Sequence, residues 1–140
     1  MYKSYQMFII GNSKNHKTDN LLWCRTIVEK LKEYSDNKIS FTYAPNYFNE
    51  PYTEEDRILE LNQIQDSDLV IVDLCEMKDN ISAHCILSSI QMMNKVRTKH
   101  TFVIGIGKLD TDNVWLTSCI FKQFPTIDDA VDYITDKIII

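Results

Sequence analysis

Three stretches of the chain are apolar almost without interruption: "MFIIG", "DLVIVDL" and "HTFVIGIG". A strand with one wet face alternates, so unbroken runs of this length read as strands covered on both faces in a parallel sheet. "KISFTYAP" alternates instead, is rich in β-formers and stops at Pro45. Between these runs the spacing of apolar residues changes to three and four. "TDNLLWCRTIVEKLKEY" sets Leu21, Cys24, Val28 and Leu31 on one helical face, with Thr18 or Asp19 as the expected N-cap. Thr53 and Asp56 frame a capping box for a second helix through Gln65. "DNISAHCILSSI" opens a third, with Ile86, Ile90 and Met93 inward. The segment "KLDTDNVWLTSCIFKQF" is less regular and is expected to hold a short strand near Cys119 to Phe124. Thr126 and Asp129 suggest a second capping box, for a last helix that turns Ala130, Val131 and Ile134 inward.

The alternation of strand and helix predicts an α/β fold: a single domain over residues 1–140, with a mostly parallel sheet of about five strands and helices on both faces, flavodoxin-like or Rossmann-like. In such sheets ligands sit beyond the carboxyl ends of the strands, near the point where strand order reverses. Those ends are Gly11-Asn12, Ala44-Pro45, Cys75 to Asp79 and Gly105 to Lys108.

Composition narrows the function. With a formal net charge of -5, the chain is not expected to bind nucleic acid, since phosphate backbones select basic surfaces. The basic cluster Lys95, Arg97, Lys99 and His100 reads as a solvated helix C-terminus. No apolar stretch is long enough to span a membrane, and "MYKSYQMFIIGN" lacks the features of a signal peptide, so a cytoplasmic setting is expected. Cys24, Cys75, Cys85 and Cys119 are widely spread in apolar segments. The expectation is reduced thiols behaving as small hydrophobes, with no disulfide, no metal site and no cofactor.

Several chemistries fit poorly. "GNSK" and "GIGK" place lysine near glycine after a strand, but match neither phosphate-binding glycine motif. Asp73 at the end of "DLVIVDL" resembles the acceptor of receiver domains, with Lys108 as its partner lysine. The first strand ends in "IIGNS", however, without the carboxylates that would hold magnesium. His84 and Cys85 are consecutive on a helix, so their side chains diverge, and a reactive Cys85 would need His16 or His100 as base. Packing beneath the sheet edge is the plainer role for Cys85, and a place on the helix surface the plainer one for His84.

Four places taken together do carry a family pattern: "FIIGN" (8–12), "TYAP" (42–45), "ELNQIQDSDLVIVDL…DNISAHCILSSI" (60–90), and "NVWL" followed by "FPTIDDAVDYI" (113–134). In order and spacing, over roughly residues 8 to 135, the chain resembles the nucleoside 2-deoxyribosyltransferase family and its relatives that hydrolyse nucleotide N-glycosidic bonds. The discriminating motif of that family is Asp-x-Gly-[ST]-x-x-Glu-x-Gly-x-Ala at a helix start. Asp79 matches its leading Asp, which the resemblance implies helps bind the sugar and position the reacting group. Ser82 matches the Ser/Thr, whose hydroxyl caps the helix or holds a ligand anion. Ile81 and Leu87 stand where the glycines belong, Ser89 where the Ala belongs, and Cys85 where the catalytic Glu belongs. Glu60 falls near another acidic position of the family, and Asn113 near the Asn that reaches a neighbouring subunit's site.

The missing Glu matters because cleavage of a C1′–N bond builds oxocarbenium character, which a carboxylate must attack or shield. A thiol on an apolar helix face does neither comparably. The resemblance therefore implies one of three things. The chain is an enzyme with a substitute carboxylate, Asp79 first and Glu60 in support. Alternatively, it is a catalytically inactive relative that binds a nucleoside or nucleotide through Gly11, Asn12, Ser82, Cys85 and Asn113. Or it is a structural protein of the same fold, with Met92-Met93 buried at an interface. The resemblance also implies a homo-oligomer, because Asn113 would complete a neighbour's pocket. Trp115, Tyr43, Tyr47 and Phe48 are open to base stacking or to closing the core or an interface.

Overall fold

The uninterrupted apolar runs form the inside of one parallel sheet. The computed structural model describes residues 3–12, 17–36, 39–45, 53–75, 77–110 and 112–138, without the side chains of residues 3, 17 and 39–45. Its elements are β1 (Lys3–Ile10), α1 (Lys17–Tyr34), β2 (Ile39–Pro45), α2 (Glu54–Gln65), β3 (Leu69–Asp73), a 3-10 turn (Met77–Asp79), α3 (Ile81–Val96), β4 (Phe102–Ile106), α4 (Val114–Ser118), β5 (Lys122–Phe124) and α5 (Ile127–Tyr133), which continues as a π turn through Ile138. All pairings are parallel, in the order β2-β1-β3-β4-β5.

Successive residues of a strand point to opposite faces, and here both faces are buried. Met7 and Ile9 of β1, Leu69 and Ile71 of β3, and Ile104 and Ile106 of β4 pack with Cys24, Ile27, Val28 and Leu31 of α1 and Ala130, Val131 and Ile134 at the last helix. Phe8, Ile10, Val70, Val72 and Val103 pack on the other face with Ile64 of α2, Ala83, Leu87 and Ile90 of α3, and Leu116 of α4. Burying a side chain of this size stabilises the fold by about 1.5–3 kcal/mol. That gain is available on both faces because no polar residue interrupts residues 7–10, 69–72 or 103–106.

Helix ends follow local chemistry in two cases and depart from it in one. The Thr53 hydroxyl accepts from Asp56 N, and the Asp56 carboxylate accepts from Thr53 N at 3.0 Å, a complete capping box. Thr126 caps α5 by accepting from Asp129 N. Helix α1, however, already starts at Lys17, so Thr18 and Asp19 lie inside its first turn and neither is the cap. Asp19 there complements the helix dipole instead. The irregular stretch before the last helix contains α4 as well as a strand. Cys119 ends that helix, and the strand is confined to Lys122–Phe124.

At the amino ends of β3 and β4, Arg97 Nη1 donates to Gln65 O and Nη2 to the Thr101 hydroxyl, both at 2.8 Å. That hydroxyl donates to Ser67 O at 2.8 Å. The Asn94 amide takes both backbone groups of Thr101, at 2.9 Å each. The ends of α2 and α3 are thereby tied to the strands that follow them. At the opposite ends, Gly107 turns the chain out of β4 at φ 106, a left-handed conformation that favours glycine. No helix among the described residues is long and apolar enough to cross a membrane.

Candidate functional site

The sheet order reverses between β1 and β3, which sets the switch point between the carboxyl end of β1 and the start of α3. One side chain crosses it. Asn80 caps α3 by accepting from Ala83 N at 3.1 Å, and its Nδ2 donates to Gly11 O at 3.3 Å. Gly11 and Asn12 are buried beside it. A Cβ on Gly11 would lie 2.7 Å from Cγ and Oδ1 of Asn20, so glycine is what lets that amide close over the turn. The Asn20 amide then holds both backbone groups of Asn12, at 3.2 and 2.8 Å. Asn20 and Asn80 carry this corner, and neither was among the site residues expected from sequence. Their signal was an Asn directly before an apolar helix and an Asn one turn into another, each a residue type suited to bonding backbone.

Helices α2 and α3 cover the same sheet face, and a cleft of ≈ 300 Å³ opens between them. Arg57, Glu60, Leu61 and Ile64 line it from α2, and Ile81, Ser82, Cys85, Ile86 and Ser89 from α3. Three of the expected site residues therefore meet: Glu60, Ser82 and Cys85. Glu60 is only 4% exposed, an uncommon setting for a carboxylate. Arg57 stands above it on the same helix face, its Nε 3.1 Å from Glu54 and its Nη2 also paired to that carboxylate. The guanidinium holds the Glu54 carboxyl below its usual range.

The other expected residues lie elsewhere. Asp79 is exposed at the end of the 3-10 turn, and Asn113 is exposed as the N-cap of α4, accepting from Leu116 N. Neither lines the cleft, nor do Gly11 and Asn12. Beside Asn113, Asp112 and Val114 border a wider hollow of ≈ 830 Å³ at the carboxyl ends of β4 and β5, together with Lys108 and Phe124.

Two expectations about the thiols are corrected. Cys85 and Cys75 are exposed rather than packed, because the inward stripe of α3 runs through Ala83, Leu87 and Ile90 and leaves Cys85 on the cleft side. Cys24 and Cys119 are the buried hydrophobes; burial pushes the Cys24 thiol up to about 11. His84 is half-buried rather than on the surface, its Nε2 donating to Met77 O at 2.8 Å, which fastens α3 to the preceding turn. Asp73 ends β3 and accepts from Cys75 N at 2.9 Å; burial raises its carboxyl above the usual range despite that bond. Trp115 is 79% exposed and closes no core, and Met92 is exposed while Met93 packs on the chain's own core. His16, Tyr47, Phe48 and the side chain of Tyr43 lie outside the described residues.

No family model matches the chain, and no curated protein matches it significantly in sequence. Solved structures do match. The 2-deoxyribosyltransferase of the psychrotolerant bacterium Bacillus psychrosaccharolyticus superposes with a TM-score of 0.62, covering 91% of both chains at 14% identity. The fold is that of a 2-deoxyribosyltransferase. A conserved protein from Enterococcus faecalis V583 is similar over 96% of this chain and 99% of its own, with a TM-score of 0.64 and 12% identity. The deoxyribosyltransferase likeness thus spans nearly the whole α/β unit, as the resemblance in residue order implied.

Proposed function

We propose that the chain binds a nucleoside or nucleotide in the α2–α3 cleft, as a divergent deoxyribosyltransferase-like domain over residues 1–140. One observation carries this reading. Glu60, on α2, and Ser82 and Cys85, on α3, each marked by the family pattern, line one cleft of ≈ 300 Å³. Such a volume suits a small ligand, and the apolar walls of Leu61, Ile64, Ile81 and Ile86 suit a base or sugar face.

Cleavage of the N-glycosidic bond is the second reading, favoured by the buried Glu60 carboxylate. In it Glu60 attacks C1′, the C1′–N bond breaks with its electron pair leaving on the base, and the base takes a proton. Water or a second base then displaces the sugar from the carboxylate. Asp79 is assigned no part in the attack, since it does not line the cleft. Asn113, exposed at the cap of α4, contributes to a neighbouring subunit's cleft in a homo-oligomer, in a cytoplasmic setting that agrees with four free thiols.

The test pairs calorimetry with chromatography over a panel of deoxynucleosides and deoxynucleoside monophosphates, with a competing free base. Saturable binding weakened by Ser82→Ala supports the first reading; no binding to any member of the panel overturns it. Base release or exchange abolished by Glu60→Gln supports the second reading, and turnover unaffected by that change overturns the role of Glu60. Light scattering that shows a monomer at micromolar concentration overturns the shared site.

A further inference from the structure

The basic cluster at the end of α3 divides when the chain folds. Arg97 donates to Gln65 O and the Thr101 hydroxyl, and Lys99 pairs with Asp68. The side chains of the other two members, Lys95 and His100, have no hydrogen bond or ion pair among the described residues. Both line a hollow of ≈ 330 Å³ at the amino end of β4, which shares no lining residue with the α2–α3 cleft. Its base is core, with Ile90 of α3 and Val103 of β4 both buried. Phe102 and Phe121 also line it, their ring centroids 5.2 Å apart and tilted by 59°. Both rings keep surface in water, at 36% and 53% exposure. The Phe121 N–H donates to Val103 O at 2.9 Å, which sets that residue beside β4. Among the described lining residues none is acidic, although the whole chain carries a net charge of -5.

We infer that this hollow is a second ligand site, for a small aryl carboxylate, with the ring against Phe102 and Phe121 and the carboxylate on Lys95 and His100. An exposed aromatic pair leaves ring faces and edges that a third ring covers in an offset or tilted stack. An ammonium without a partner forms charge-assisted bonds to a carboxylate, and an imidazole has an N–H to donate in either tautomer. The two halves of the site are held in place before any ligand arrives. The Asn94 amide takes both backbone groups of Thr101 at 2.9 Å each. Lys95, next to Asn94, is thereby kept close to His100 and Phe102, the neighbours of Thr101, so little ordering is left for binding to supply. Related chemistries satisfy only part of this arrangement. An aryl amine meets the like charge of Lys95, a neutral arene makes the stack alone, and a short aliphatic acid makes the ion pair alone. The volume suits a small molecule. This site does not depend on the reading of the α2–α3 cleft.

Nuclear magnetic resonance titration of the isotope-labelled full chain tests it, with phenylacetate as the probe and phenylacetamide, phenethylamine and acetate as matched controls. Phenylacetate is expected to shift the backbone signals of Gln91, Lys95, Phe102 and Phe121, with a Kd in about the millimolar range for so small a molecule. It should bind about tenfold more tightly than phenylacetamide or acetate, and phenethylamine should not bind. Lys95→Gln brings phenylacetate to the level of the amide, and Lys95→Arg restores most of the difference. Phe121→Ala weakens phenylacetate and phenylacetamide alike, by about fivefold, and leaves acetate unchanged. Lys95 and Phe121 are exposed, so these variants keep the fold, which thermal melting checks. Equal affinity for phenylacetate and its amide, affinity unchanged in Lys95→Gln, or shifts centred on Glu60, Ser82 and Cys85 overturns the inference. So does the absence of any saturable shift. None of these results bears on nucleosides or nucleotides in the α2–α3 cleft, which are titrated separately.

Discussion

The two ends of the α2–α3 pair use polar residues in opposite ways. At the amino ends of the strands, Arg97 Nη1 and Nη2, Thr101, Asn94 and Ser67 bond the chain itself at 2.6 to 2.9 Å, although the buried Arg97 Nε finds no hydrogen-bond partner among the described residues. In the cleft, Arg57, Ser82 and Cys85 are exposed side chains around an open volume, over the buried carboxylate of Glu60. Both regions contain an arginine and a serine. Residue type therefore does not separate a structural polar group from a candidate binding group. What separates them is whether backbone lies within reach: buried donors are mostly satisfied, and at the strand ends the carbonyls of Gln65, Ser67 and Thr101 take most of them.

The largest effect expected is at the structural end. Arg97→Ala strips bonds from Gln65 O and the Thr101 hydroxyl and should cost about 2–3 kcal/mol. Urea unfolding measures it, with ligand affinity unchanged below the new midpoint. A loss under about 0.5 kcal/mol would erase the contrast between the two ends. Asn80→Ala comes next, at about 1–2 kcal/mol, because it removes both a helix cap and the bond to Gly11 O. It probes the switch point rather than either end.

Two acidic residues sharpen the comparison through pH. Burial raises the Asp73 carboxyl, so the folded chain holds that proton more tightly than the unfolded one. Stability then falls as pH rises from the ordinary carboxylate value through the folded one. Asp73→Asn, which keeps an oxygen for Cys75 N, should raise the melting temperature at pH 7 and flatten that slope. Asp128 has the opposite sign. Its hydrogen bond with Lys30, 2.5 Å long, lowers its carboxyl, so its contribution is present above the ordinary value and lost as pH falls through the folded one. Melting curves of Asp128→Asn between pH 2 and 5, the range in which carboxylates titrate (roughly), should lack that acid loss.

The smallest stability effect belongs to the cleft. Cys85→Glu adds a carboxylate at an exposed helical position and should change stability by no more than about 0.5 kcal/mol. Chromatographic base release by Cys85→Glu exceeding that of the wild type would mark Cys85 as the residue whose change silenced the site. No gain alongside intact nucleotide binding would move the cause to Ile81 and Leu87, where the family pattern has glycine.

Much of the molecule was written in local order. The runs around Ile9, Ile71 and Ile104 specify covered strands because a residue period of two buries both faces at once. Thr53 with Asp56 specifies a helix start because the bonds that cap it lie within four residues. The inward set Ala130, Val131 and Ile134 follows from helical period alone. What depended on residues remote in sequence was not legible in that way. The exposure of Cys85 depends on which stripe of α3 the sheet takes, and the run Cys85 to Ile90, all apolar or small, allows more than one choice. The roles of Asn20 and Asn80 depend on β1 and β3 lying side by side, which only the strand order shows. Glu60 rather than Asp79 enters the cleft because α2 packs beside α3 on the sheet, a juxtaposition of residues about twenty apart that no periodicity encodes. By itself the sequence determined the three covered strands, the long helices and most of their apolar faces, since backbone geometry and hydrophobicity act over a few residues, whereas the short α4 was not legible in it. The tertiary structure decided which polar groups find backbone and which border open space, because that depends on distances between segments.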